Sequence, residues 1–231
     1  MKSMKTLAIA LCAGIVMVGC NNLQKGAAIG AGGGALLGAV IRKIAGNTAV
    51  GAAVGGAVGA GAGAIIGKKM DKAKAEAQAV QNAQVESVTD ANGLQAVKVT
   101  FDSGILFTTG SSTLSSTAKN SLTQFSNVLK GNADCDVAVQ GYTDNAGWKN
   151  STAEQSQQKN LNLSQQRAQA VTNYLQSLGV SSSQIRSTTG FGEANPVADN
   201  STAAGKAQNR RVEVYMYASQ KMIQEAEAQA N

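Results

Sequence analysis

Residues 118–141 read AKNSLTQFSNVLKGNADCDVAVQG, and two hydrophobic periods meet inside them. Ala118, Leu122, Phe125 and Leu129 recur at helical spacing and Gly131 supplies a stop, whereas residues 136–141 alternate as a short strand does. The same alternation of periods continues on both sides. Upstream, Val97, Val99 and Phe101 read as a strand, with Phe107 and Leu114 as further apolar anchors. Downstream, a second helix is expected to begin at Ser164, to bury Ala168, Val171, Leu175 and Leu178, and to stop at Gly179. Ile185–Gly190 and residues 211–217 complete two more strands. The resulting order, β-α-β-α-β-β, is an α+β sandwich with helices covering one face of a small sheet.

Composition restricts the chemistry. The chain is 43% hydrophobic but only 4% aromatic, because much of its apolar content is Ala and Val before residue 68, so the core formers lie in the C-terminal half. There is no histidine. That removes the usual general base, the Ser-His-Asp triad and most zinc sites together, and points to a non-catalytic protein with no cofactor or metal.

The first twenty residues, MKSMKTLAIALCAGIVMVGC, carry two lysines, an apolar run and a small residue before Cys20. They read as a secretory signal, too short and wrongly flanked for a spanning helix. Met17, Val18, Gly19 and Cys20 resemble the bacterial lipobox, with Met17 in place of the usual leucine. The resemblance implies cleavage before Cys20, acylation of Cys20, and an outer-membrane destination, since Asn21 replaces the aspartate of inner-membrane retention. Several acyl chains would anchor the protein stably. Losing Lys2 and Lys5 leaves eighteen basic against fourteen acidic residues. With no basic stripe interleaved with aromatics, nucleic acid is not an expected partner. Cys135 is then the one thiol left, expected as a small buried hydrophobe beside a strand.

Residues 26–67, GAAIGAGGGALLGAVIRKIAGNTAVGAAVGGAVGAGAGAIIG, place glycine at 26, 30, 34 and 38, then at 51, 55, 59, 63 and 67. A four-residue period puts these glycines on one helix face, where a second backbone can approach closely. The break from Arg42 to Asn47 suggests two helices joined by a turn. Fourteen glycines in helix interiors would cost on the order of 10 kcal/mol relative to alanine, so lipid or tight helix packing must offset them. The stretch resembles the glycine zippers of envelope lipoproteins and is expected to form a membrane-associated helical hairpin, a means of homo-oligomerisation. It holds no Asp or Glu that could carry protons. Residues 68–92, rich in Ala, Lys, Glu and Gln, read as a solvated helical connector, and residues 219–231 as an exposed helical tail.

Four separated motifs then become specific. Residues 141–144 read GYTD, residues 160–168 NLNLSQQRA, residues 190–193 GFGE with Pro196 following, and residues 209–213 NRRVE. In this order they resemble the OmpA-like peptidoglycan-binding domain over about residues 94–217. Lipobox, glycine zipper and this domain together are similar to outer-membrane lipoproteins of the YiaD type. The resemblance implies a domain at 93–218 that binds the free end of diaminopimelate in peptidoglycan without cleaving it. It assigns the ligand ammonium to Asp144 and a carboxylate to Arg167, with Thr143, Asn145 and Asn160 as further hydrogen-bond partners. The chemistry is coherent, since a zwitterionic head needs one anion and one planar cationic fork. With Ser164 as cap, Arg167 would stand in the first helical turn, where an anion offsets an ill-placed cation. Arg210 and Arg211 either frame the pocket or pair with Glu193 or Glu213, and strand alternation turns them in opposite directions.

One departure stands out. Asp144 and Arg167 are twenty-three residues apart, about eight more than the usual pattern, and the extra residues include Trp148, the only tryptophan. Trp148 either stacks on a sugar at the pocket rim or anchors the loop. A stator reading lacks a membrane-embedded acid, and a glycine-zipper pore positioned by wall binding is the alternative to a tether.

Overall fold

The structure, a computed structural model, describes residues 58–90 and 93–230. The expected signal, Cys20 and the glycine stretch up to residue 57 lie outside the described residues. Helix α1 (Ala60–Gln78) leads into strands β1 (Ala83–Thr89) and β2 (Gln95–Asp102). A short helix α2 (Ser103–Leu106) and helix α3 (Ser116–Gly131) precede β3 (Cys135–Gly141). Then come α4 (Ala153–Ser177), β4 (Ile185–Gly190), the short α5 (Ala203–Asn209), β5 (Arg211–Ala218) and α6 (Gln220–Ala230).

The five strands form one sheet in the order β1-β2-β5-β3-β4. All neighbours are antiparallel except β3 and β4, which pair in parallel across the α4 crossover. Alternation along the strands separates two faces. Val97, Val99 and Phe101 of β2, Val137 and Val139 of β3, and Val212, Val214 and Met216 of β5 enter the main core with the helices. Ala96, Ala138, Tyr215 and Tyr217 turn to the opposite face. Helix α3 contributes Ala118, Leu122, Phe125 and Leu129 as its spacing predicts, and Phe101 meets Phe125 edge to face with ring centroids 5.6 Å apart. Cys135 is buried in this core at the start of β3, as expected of a small hydrophobe.

From β2 to β5 the β-α-β-α-β-β order holds, but four boundaries are corrected. First, α4 begins at Ala153, not Ser164. Thr152 caps it and Gln155 reaches back to the cap backbone, a reciprocal pair that satisfies two otherwise orphaned amides. Its other end comes one residue early: Leu178 is the half-buried cap, Gly179 follows at φ +90°, and Val180 fills the core instead. Second, residues 83–89 are an edge strand rather than helix.

Third, α1 is no solvated connector. Ala62, Ile66, Met70, Ala73 and Ala77 form a buried stripe against the main core, so residues 60–67 of the glycine stretch belong to a helix that packs on the domain. Fourth, the tail is not exposed along its length, because α6 buries Met222, Ile223 and Ala226. Helices α1 and α6 meet so closely that a β-carbon on Gly61 would stand 2.9 Å from the Ala230 Cβ. Among the described residues no helix is long and apolar enough to cross a membrane.

Candidate functional site

Three glycines let α4 press onto the ends of β3 and β4. A β-carbon on Gly141 would lie 2.2 Å from the Ser164 carbonyl oxygen, and one on Gly190 would lie 2.2 Å from the Gln165 nitrogen. Gly192, at φ +57°, donates its N–H to Ser164 Oγ (2.8 Å), which in turn donates to the Leu161 carbonyl. Gln165 completes the seam, accepting from the Gly190 N–H (2.7 Å) and donating to the Thr188 carbonyl. Ser164 is thus the point where the helix is riveted to the sheet. It is not a cap, and Arg167, one turn further, lies about four turns into α4, far from any N-terminal dipole.

That seating fixes Arg167 beside the segment that leaves β3. Tyr142 and Thr143 continue the backbone pairing past the strand, to the carbonyls of Arg211 and Gly192, and the next residue is Asp144. Asp144 is buried. One carboxylate oxygen accepts from the Ala146 N–H (3.1 Å) and the other from Arg210 Nη1 at 2.5 Å. Arg167 is 4% exposed, lies over the Phe107 ring at 5.2 Å, and donates Nε–H to the Ser111 carbonyl (3.0 Å). Its two Nη groups make no hydrogen bond within the described residues. Burial depresses its pKa, the charge of Arg210 depresses it further, and Asp144 opposes both. The guanidinium stays protonated. Two cations therefore share one carboxylate.

The other expected residues divide by what they touch. Asn160, buried, donates to the carbonyls of Asp144 and Ala146 and accepts from Trp148 Nε1 (2.7 Å), so its amide shapes the 144–148 loop. Trp148 anchors that loop, its backbone N–H also bonding Ser156 Oγ. Thr143 encloses a hydroxyl without a partner, whereas Asn145 is exposed. Arg210 and Arg211 separate as strand alternation requires. Arg211 is buried over the Tyr142 ring at 3.8 Å and engaged by Glu213 (2.7 Å), Asn209 O and Asn195 O. Glu213 also accepts from Tyr215 Oη (2.6 Å), so Arg211 belongs to a closed network under the site, not to its rim.

Sequence reasoning missed the Asp144–Arg210 ion pair, the Ser111 carbonyl and the Phe107 face. The buried Asn209 supplied the one hint. It accepts from the N–H groups of Val197 and Ala198, pinning the loop that delivers Arg210, and it stands in the quoted NRRVE motif.

Residues 106–210 match the model of the OmpA family, and residues 1–71 that of the YMGG-like Gly-zipper. The chain is 47% identical over 116 residues to the Probable lipoprotein YiaD of Escherichia coli, covering 50% of this chain and 46% of that one. It is 42% identical over 93 residues to the Peptidoglycan-binding protein ArfA of Mycobacterium bovis, covering 40% and 26%. The chain thus spans less than half the length of either curated relative. Among solved structures, the cell wall anchor of the type VI secretion system (T6SS) from Pseudomonas aeruginosa superposes with a TM-score of 0.52 at 27% identity, covering 65% of this chain and 97% of the other. A MotB-like protein from Desulfovibrio vulgaris superposes with a TM-score of 0.55 at 22% identity, covering 66% and 93%.

Proposed function

We propose that this chain, whose described body is an OmpA-like domain, is a non-catalytic envelope protein that holds peptidoglycan through the Asp144 and Arg167 pair. One observation carries the reading. A buried guanidinium presents two Nη groups with no hydrogen bond among the described residues, next to a second arginine and a single carboxylate. The Nη groups face solvent beside a second cation, so an incoming anion would be matched by both. A ligand carboxylate would accept both Nη groups in the bidentate geometry that arginine favours. An ammonium on the same ligand carbon would share the Asp144 carboxylate with Arg210.

Diaminopimelate, with an amino-acid head free at one end, meets both demands. Lysine at the same position in a wall would leave Arg167 unmatched. The names of the relatives support a wall ligand, and the YiaD likeness supports a lipoprotein attached at Cys20 to the outer membrane. Asp144→Ala and Arg167→Ala are expected to abolish sedimentation of the purified chain with sacculi while leaving its circular dichroism unchanged. Sedimentation equal to wild type in both variants would refute the assignment. For the anchor, the chain is expected to incorporate labelled palmitate and the Cys20→Ala variant to take up none.

A further inference from the structure

The residues that lengthen the Asp144-to-Arg167 segment do more than extend a helix. They wall a cleft of about 390 Å³ lined by Asn145, Ser151, Thr152, Ser156, Gln157 and Glu193. The cleft abuts the clamp on two sides. Asn145 follows Asp144 in the chain, and Glu193 follows Gly192, whose carbonyl accepts the Thr143 N–H (2.8 Å). Ser151, Thr152, Ser156 and Gln157 all come from the loop before α4 or from its opening turns.

The hydroxyls of this lining already have partners. Ser151 Oγ bonds Lys159 and the Lys149 carbonyl, Thr152 Oγ1 caps α4, and Ser156 Oγ holds the Trp148 N–H. The capping box satisfies the N–H groups of Thr152 and Gln155. The free capacity is elsewhere. Glu193 is engaged on one oxygen only, by Gln157 Nε2 at 2.9 Å, which leaves its second oxygen and the Gln157 carbonyl oxygen open. Asn145 adds a carboxamide without a partner among the described residues. The Glu193 and Gln157 oxygens can accept from N–H groups, and the Asn145 carboxamide and the Ala153 N–H can serve carbonyls, a pattern that suits a peptide backbone.

We propose that this cleft is a peptide subsite that takes the backbone amide N–H groups of the stem peptide next to the clamped head group. The proposal rests on the reading that Asp144 and Arg167 hold diaminopimelate. Continuity favours a peptide, because a clamped diaminopimelate is bonded to its neighbouring residues, and each residue advances the chain by only about 3.8 Å. The peptide amides begin at the other end of the diaminopimelate side chain, three methylenes from the clamped head, and so lie closer to the Asp144 loop than the sugars do.

Titration calorimetry on the full chain in detergent tests it, with free diaminopimelate and a short peptide ending in diaminopimelate as probes. The peptide is expected to bind about tenfold tighter, the equivalent of one or two hydrogen bonds to charged or carbonyl acceptors. Replacing both acceptors, Gln157→Ala with Glu193→Ala, is expected to erase that advantage and leave free diaminopimelate binding unchanged. Gln157 is exposed and Glu193 half-exposed, so the double variant keeps its core. Equal binding of the two probes by wild type, or an undiminished ratio in the double variant, would overturn the subsite alone. Binding of a peptide-free disaccharide that disappears in the double variant would assign the cleft to glycan and overturn it too. If free diaminopimelate fails to bind wild type, the clamp falls and the subsite with it.

Discussion

Replacing Arg167 with methionine separates a charge held for a ligand from a charge held for the fold. The side chain is 4% exposed and its losses can be counted. Removing the charged Nε–H donor to Ser111 O forfeits about 1.5–3 kcal/mol. Removing the guanidinium from the Phe107 face forfeits about 1–2 kcal/mol more. The Ser111 carbonyl left behind lies at a half-exposed turn, where water replaces the lost donor. Against this stands relief of a largely desolvated cation repelled by Arg210, a penalty that reaches several kcal/mol where an ion is fully buried. Methionine also fills the space with a flexible apolar chain. The expected net is a ligand-free stability equal to wild type or about 1 kcal/mol higher, a trade of stability for function seen at other binding sites. Urea denaturation with and without diaminopimelate reads it. At a hundred times Kd the ligand should add about 2.7 kcal/mol to wild type and nothing to Arg167→Met. A ligand-free loss above about 2 kcal/mol would show that the guanidinium is a structural strut, and the argument for an anion-seeking site would fail.

Other perturbations follow from the same contacts. Gly141→Ala should cost about 1–3 kcal/mol or more in urea, because its β-carbon meets the Ser164 backbone oxygen, while Gly147→Ala, with the nearest atom 3.8 Å away, should stay within about 0.5 kcal/mol; equal midpoints would refute the close seam. Cys135, its thiol pushed up to about 12 by burial, should resist alkylation at mildly alkaline pH until urea unfolds the chain. A thiol raised in the fold contributes stability that is complete below its ordinary 9.0 and is lost as pH climbs toward about 12. Burial raises Tyr142, Tyr215 and Tyr217 in the same sense, so stability should fall in alkali, with a shallower slope in Cys135→Ala. Deleting residues after Ser219 uncovers the contacts of Met222 and Ile223 and should lower stability by about 2–3 kcal/mol, and an unchanged unfolding midpoint would contradict the packing described for α6.

The elements that were legible are those with large aliphatic or aromatic residues in strict period. Leu122, Phe125 and Leu129 announce α3, and Val137 and Val139 announce β3, because each buries a side chain that could not be left in water. The start of α4 escaped because AEQSQQKN carries no apolar stripe. Its signal was chemical instead: Thr152 with Gln155 three residues on is a capping box. Helix α1 escaped for a different reason, since its buried stripe contains three alanines, one isoleucine and one methionine, and alanine patterns weakly on any hydropathy scale. In β1, Val85 and Val88 lie among Ala, Gln and Glu, which favour helix locally, and pairing with β2 overrides that preference. Motif order singles out Asp144 and Arg167, which the fold brings near one another. Their relation to Arg210 was not legible, because it depends on the non-local course of the loop that Asn209 pins.

The docking of α1 has a mechanical consequence. If the chain is tied to a membrane at one end and to the wall through α4, tension enters at the start of α1 and leaves through the Arg167 region. Among the described residues α1 is packed on the domain, so load entering there would first shear α1 along its own axis from α6 and β2. As a helix its nineteen residues reach about 28 Å, and pulled straight about 65 Å. Yielding of α1 would add roughly 35 Å of slack while the strands around Asp144 stay paired, so a widening gap between membrane and wall could be met without letting go of the wall.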